Sequence, residues 1–74
     1  MTLQPWQERV IEEKEQLAER LEKLNAFLDS EMALGLPFDE RCLLVRQASV
    51  MKQYLDILLD RIARFFETAT TKGE

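Results

Sequence analysis

The sequence predicts an all-α protein, a two-helix antiparallel hairpin that assembles into an oligomeric helical bundle. Three observations predict it. The two Gly and two Pro of the 74 residues are confined to the start, one central segment and the tail. The two long stretches between them are rich in Glu, Lys, Leu and Arg, which are strong helix formers. Each stretch repeats apolar residues at steps of three and four, the period of a helix with one buried face.

Taken in order, the first helix spans about 5–28. Pro5 suits a first helical position, where its missing N–H costs nothing. The seam of this helix runs Val10, Lys14, Leu17, Leu21, Leu24, Leu28. Residues 29–37 read as a turn, punctuated by Gly35 and Pro37. The second helix spans about 38–66. Pro37 opens it, and Asp39 and Glu40 place negative charge against the positive end of its dipole. Its seam runs Leu44, Ala48, Met51, Leu55, Leu58, Ile62, Phe65. Residues 67–74 are polar and are expected to fray. A short connection makes the helices antiparallel neighbours, so residues 1–74 form a single helical-hairpin domain.

A chain this short buries only about 60% of its unfolded surface, and its core alone contributes little net stability. Oligomerisation is the staple that remains, because the chain has one cysteine, Cys42, and no histidine. That composition excludes an internal disulfide, a His-ligated zinc and a Ser-His-Asp triad. Surplus apolar residues agree with association. Beside its seam the second helix carries Leu43, Val50 and Ile57, interleaved with Gln47, Tyr54 and Arg61. The first helix adds Trp6, Ile11, Ala18 and Phe27. A hairpin needs one seam per helix, so the expected state is a homo-oligomer, at least a dimer.

Other classes fall away on charge and patterning. A net charge of -4 argues against a dedicated duplex nucleic-acid binder, which usually shows a basic face, and no nucleic-acid partner is expected. No apolar run reaches the length of a membrane span. The opening MTLQPWQERV has neither the basic nor the apolar region of a signal peptide. A single thiol suits a reducing cytosol, and the expected location is cytoplasmic. No catalytic constellation is legible, so the expectation is a protein that is not an enzyme, with no catalytic residue, no metal and no cofactor.

Charged and aromatic residues interrupt the apolar pattern. Lys14 occupies a seam position, where a charge costs stability unless it is paired or its stem snorkels. It reads as a register- or oligomer-specifying residue, as a partner for a neighbouring Glu, or as an anion anchor. Gln47, Tyr54 and Arg61 recur at heptad spacing and share one face. Indexing the hairpin from a turn near residue 33 brings Lys14 level with Lys52 to Tyr54, Arg9 near Ile57, and Trp6 near Asp60 and Arg61. Trp6, Arg9, Lys14, Tyr54 and Arg61 then gather in the half of the hairpin away from its turn. Rings that stack on bases and cations that meet phosphate suit a nucleotide-like ligand. The same set also fits a bundle end capped by aromatics, its cations neutralised by Glu12, Glu13, Asp56 and Asp60.

The residues form a longer pattern. Trp6-Gln7-x-Arg9-Val10-x-x-Glu13-Lys14 leads into Leu17, Arg20, Lys23-Leu24 and Phe27. Leu36-Pro37 follows, then Glu40, Leu43-Leu44, Gln47, Met51, Tyr54, Leu58, Arg61-Ile62 and Phe65. Over roughly residues 6–66 this resembles the small hairpin domain shared by phage anti-CBASS and Thoeris anti-defence proteins. The resemblance implies helical hairpins that assemble into oligomers, often hexamers. It implies a sponge that binds cyclic nucleotide or cyclic ADP-ribose-type immune signals without cleaving them, in the cytoplasm of a host bacterium if the gene is a phage's. In nucleotide-binding members an aromatic near the start of the hairpin stacks on a base and a Lys of the first helix meets phosphate. Trp6 and Lys14 stand at those positions, with Trp where Tyr is expected. Arg9, Tyr54 and Arg61 join them through the hairpin geometry alone. The alternative is a structural helical-bundle adaptor that docks a partner protein on its apolar stripe.

Overall fold

The structure is a computed structural model and describes residues 2–67. The architecture is all-α: α1 (Pro5–Leu28), α2 (Glu31–Leu34) and α3 (Phe38–Glu67). Gln4, in an extended conformation, caps α1. Its N–H donates to the Gln7 side-chain oxygen at 2.7 Å, and its carbonyl accepts the N–H groups of Gln7 and Glu8. Pro5 follows at the first helical position and has no N–H, so one of the first-turn donors of α1 is absent and two are met by the Gln4 carbonyl.

The segment expected to be only a turn holds a third, four-residue helix, α2. Ser30 explains it. Its hydroxyl donates to the Phe27 carbonyl at 2.6 Å, closing α1. Its backbone is extended and its own carbonyl accepts the Ala33 N–H, opening α2. Ala33 is buried, and α2 packs on α1. Gly35 ends α2 in ordinary right-handed geometry, with φ of -82°, so its lack of a side chain is not required there. Pro37 directly precedes α3 and accepts the Arg41 N–H at 3.0 Å. Asp39 and Glu40 lie in the first turn of α3 and Arg64 in its last, each matched to the dipole. Residues 68–74, expected to fray, lie outside the described residues.

α1 and α3 are antiparallel: Trp6 meets Phe65 and Glu13 meets Tyr54. Between them lies a narrow core of Val10, Leu17, Leu58 and Phe65, flanked by Leu3, Met51, Leu55 and Ile62. Leu58 is its one fully buried large side chain among the described residues. The ends differ from simple indexing, because Trp6 packs on Phe65, one turn beyond Arg61. Helical side chains lean toward their own N-terminus, so in an antiparallel pair Trp6 leans outward and Phe65 leans back to meet it. No helix of the described residues is long and apolar enough to cross a membrane.

Two substitutions separate core from connection. Leu58→Ala should lower stability by about 2–5 kcal/mol, as full burial predicts. Gly35→Ala should raise it by about 0.4–1 kcal/mol, because the new methyl meets only the Met32 carbonyl at 3.5 Å. Denaturant unfolding at one fixed protein concentration measures both. A neutral Leu58→Ala would contradict the packing described.

Candidate ligand-binding site

Polar and aromatic side chains collect along one edge of the α1·α3 seam and at the end of the hairpin away from α2. Trp6, Arg9 and Glu13 follow steps of three and four on α1, so they share a side of that helix. On α3, Tyr54 and Arg61 stand two turns apart on a common face, about 10 Å along the axis. The Tyr54 hydroxyl donates a hydrogen bond to the Glu13 carboxylate, joining the two sets across the seam.

At the hairpin end, Trp6, Gln7, Arg61, Arg64 and Phe65 line an open cavity of about 410 Å³. That volume lies within the range of small-molecule sites. The Trp6 indole is 49% exposed and is held edge-on by Phe65, with ring centroids 5.3 Å apart and planes at 84°. Half of the ring is thus fixed and half is open, the state in which an aromatic can stack on a ligand. Trp6 and Arg61 are therefore together, as the sequence places them. Gln7, Arg64 and Phe65 were not among the candidates. Arg64 follows Arg61 at a helical step of three, and Gln7 adjoins Trp6, so spacing could have found both.

Lys14 is separated from this group. Consecutive residues of a helix diverge by about 100°. Glu13 and Lys14 therefore fall on either side of the buried ridge of Val10, Leu17 and Leu21. Glu13 takes the Tyr54 side, and Lys14 is half-buried in the seam beyond the ridge. Arg9 is exposed one turn from Trp6. The sequence therefore puts Lys14 at the right height but on the wrong side for Tyr54.

The acids that could neutralise the cations are engaged elsewhere or stand apart. Asp56 pairs with Lys52 at 3.0 Å and Glu19 with Lys23 at 3.4 Å, both exposed pairs within one helix. Such pairs contribute little to stability. Among the described residues, neither Arg9 nor Arg61 forms an ion pair. Arg61 does act on Tyr54. The hydrogen bond to Glu13, with loss of water and the Glu13 charge, holds the Tyr54 phenol above its usual 10.0, while the Arg61 charge opposes the rise.

Two more open grooves lie along α3. One, of about 380 Å³, is lined by Phe38, Arg41, Cys42, Val45 and Arg46. The other, of about 360 Å³, is lined by Leu43, Arg46, Gln47, Val50 and Met51. Both are mostly apolar faces of a single helix rather than convergent sites.

A family model described as Sequestin matches residues 4–64. The chain belongs to the Sequestin family. The match covers α1, α2 and α3 as far as Arg64, so the Sequestin region includes Trp6, Arg9, Lys14, Tyr54 and Arg61. No curated protein and no solved structure matches the chain.

Tyr54 is the one tyrosine of this Sequestin-family chain, so tyrosinate absorbance reports it alone. Its midpoint should lie above pH 10.0, and Glu13→Gln should lower it. The sign for stability follows. A phenol pKa raised by folding favours the folded state below the ordinary value, and that contribution is lost as pH rises through the raised one. An unchanged midpoint in Glu13→Gln would mean that the two side chains do not pair in solution.

Proposed function

We propose that this protein sequesters a cyclic oligonucleotide or cyclic ADP-ribose-type immune signal, holds it without cleavage, and so antagonises bacterial anti-phage defence. The observation that carries this reading is the pairing of Trp6 with Arg61 across one open cavity of about 410 Å³. A half-exposed indole is a stacking platform for a base. A guanidinium on the facing wall offers the planar fork that matches a phosphate. The family description, Sequestin, supports a sequestering role. So does the resemblance of the sequence to phage anti-CBASS and Thoeris anti-defence hairpins.

In this reading Trp6 and Tyr54 supply rings, and Arg9, Lys14 and Arg61 supply positive charge. Lys14 lies about 12 Å along α1 from Trp6 and across the seam ridge. In this reading a ligand held in the Trp6 cavity of one copy meets Lys14 of a second copy. The reading therefore includes a homo-oligomer, with a hexamer as one arrangement, acting in the cytoplasm of the host. Sequestration needs no catalytic group. A small, abundant binder lowers the free signal by mass action alone.

The second reading is an adaptor that docks a partner protein. The exposed apolar residues Leu43, Val50 and Ile57 on α3 favour it. It needs no small ligand.

Thermal unfolding with cyclic di- and trinucleotides, cyclic ADP-ribose isomers and linear ATP separates the two. Ligand at about 100 times its Kd stabilises a protein by about 2.7 kcal/mol, a clear rise in melting temperature. One cyclic ligand should produce that rise and be recovered chemically intact after heat release. Arg61→Ala should weaken binding about tenfold or more, the loss of a charged contact. Lys14→Ala should weaken binding while leaving the oligomer whole. Flat curves across the panel, from folded protein, would leave the adaptor reading in place.

A further inference from the structure

We infer that α3 pairs with the α3 of a second copy, antiparallel and about a two-fold axis at Val50, and that this dimer places the turn of one copy beside the Trp6 cavity of the other. The inference rests on the self-association proposed above and not on the identity of any ligand.

The described core is small, and α3 is apolar well beyond its seam. Leu43, Val50 and Ile57 are 55%, 62% and 55% exposed. They stand at heptad spacing in one straight row, about a quarter-turn from the seam that faces α1. The row is self-complementary. With Val50 against its own copy, Leu43 falls opposite the partner's Ile57, and Ile57 opposite the partner's Leu43. In the same register Asp39, at the start of the row, falls opposite the partner's Arg61, at its end. Two symmetric ion pairs then close the ends of an apolar strip about 33 Å long. Sliding the pair by a heptad toward the α3 C-termini sets Leu43 against the partner's Arg64. Sliding it the other way leaves Ile57 beyond the partner's α3, against its turn. An isologous contact requires this kind of self-matching patch.

α3 carries a second exposed apolar row on the far side of its seam: Phe38, Val45, Leu59 and Phe66. That row is also symmetric, but its centre is Lys52. A two-fold there would press Lys52, already tied to Asp56 at 3.0 Å, against its own copy. Like charges meeting at a dyad oppose association, whereas Val50 at a dyad favours it. Charge therefore selects the Val50 row.

The consequence reaches the site. Asp39 lies just beyond Pro37, at the turn end of the hairpin, and Arg61 lines the end cavity. The dimer brings the partner's Asp39 against Arg61 and gives the open cavity a wall that one copy lacks. The partner's carboxylate takes one side of the Arg61 guanidinium and leaves its remaining N–H groups for a phosphate.

Cysteine cross-linking in a Cys42→Ser background reads the register directly. Val50→Cys should form a disulfide-linked dimer on mild oxidation, because only a residue at the dyad meets itself within disulfide reach. Lys52→Cys should remain mostly unlinked. Cross-linking at Lys52→Cys as fast as at Val50→Cys would overturn the pairing. A charge swap provides a second reading, with circular dichroism to verify folding. Asp39→Arg and Arg61→Asp should each weaken the dimer about tenfold or more in sedimentation equilibrium. The double variant should recover most of the loss, and no recovery would overturn the pairing. Wild-type protein that sediments as a monomer at tens of micromolar would remove self-association altogether. A stable oligomer without Val50→Cys linkage would remove only this register. The first result would also remove the bridging role of Lys14, but neither decides whether the Trp6 and Arg61 cavity of one chain binds a cyclic ligand.

Discussion

The seam between α1 and α3 is the constraint on which the rest of the molecule depends. Leu58 is fully withdrawn from water at its centre, between Val10, Leu17 and Phe65. Beside this packing, the Tyr54–Glu13 hydrogen bond and the Trp6–Phe65 ring contact join the two long helices. There is no disulfide, and the two ion pairs among the described residues, Lys23 with Glu19 and Lys52 with Asp56, lie within single helices. The register is therefore set by apolar packing, and every cross-helix polar contact is a consequence of it. Tyr54 reaches Glu13, and Trp6 reaches Phe65, because the seam brings them level.

A seam this narrow has a cost. One face of each helix is buried, and the flanks of α3 keep large apolar side chains in contact with water. The flanks differ in what interrupts them. One has Val50 at its midpoint, with Asp39 and Arg61 at the ends, and the other has Lys52 at its midpoint. Apolar area alone does not choose between them. The placement of charge does, and the favoured flank is the one that borders the Tyr54–Glu13 contact and the Trp6 cavity.

The candidate site sits where packing gives way to solvent at the open end of the hairpin. Phe65 is buried in the seam and at the same time steadies the half-exposed Trp6 ring. Arg61 stands on the other wall of the cavity. A ring and a charged side chain on elements held by the core are suited to positioning a ligand.

The helix-period pattern and the placement of Pro5, Gly35 and Pro37 made the two long helices and their seams legible in the sequence. Both signals are local, arising from backbone propensity and from the need to bury one face of a helix. Trp6 and Arg61 were legible as neighbours for the same reason, since antiparallel pairing follows from a short connection. The α2 turn was not, because it rests on the extended Ser30 backbone, whose carbonyl accepts the Ala33 N–H, and on the burial of Ala33. The side of the ridge on which Lys14 falls was not legible either. Lys14 fits the apolar step of the seam, and only the packed register, with Glu13 bonded to Tyr54, decides which edge faces the site. Sequence by itself determined which residues lie on which helix and at what height. The tertiary structure decided how the helices are rotated against each other, because that rotation depends on side chains meeting across the seam and leaning toward their own N-termini.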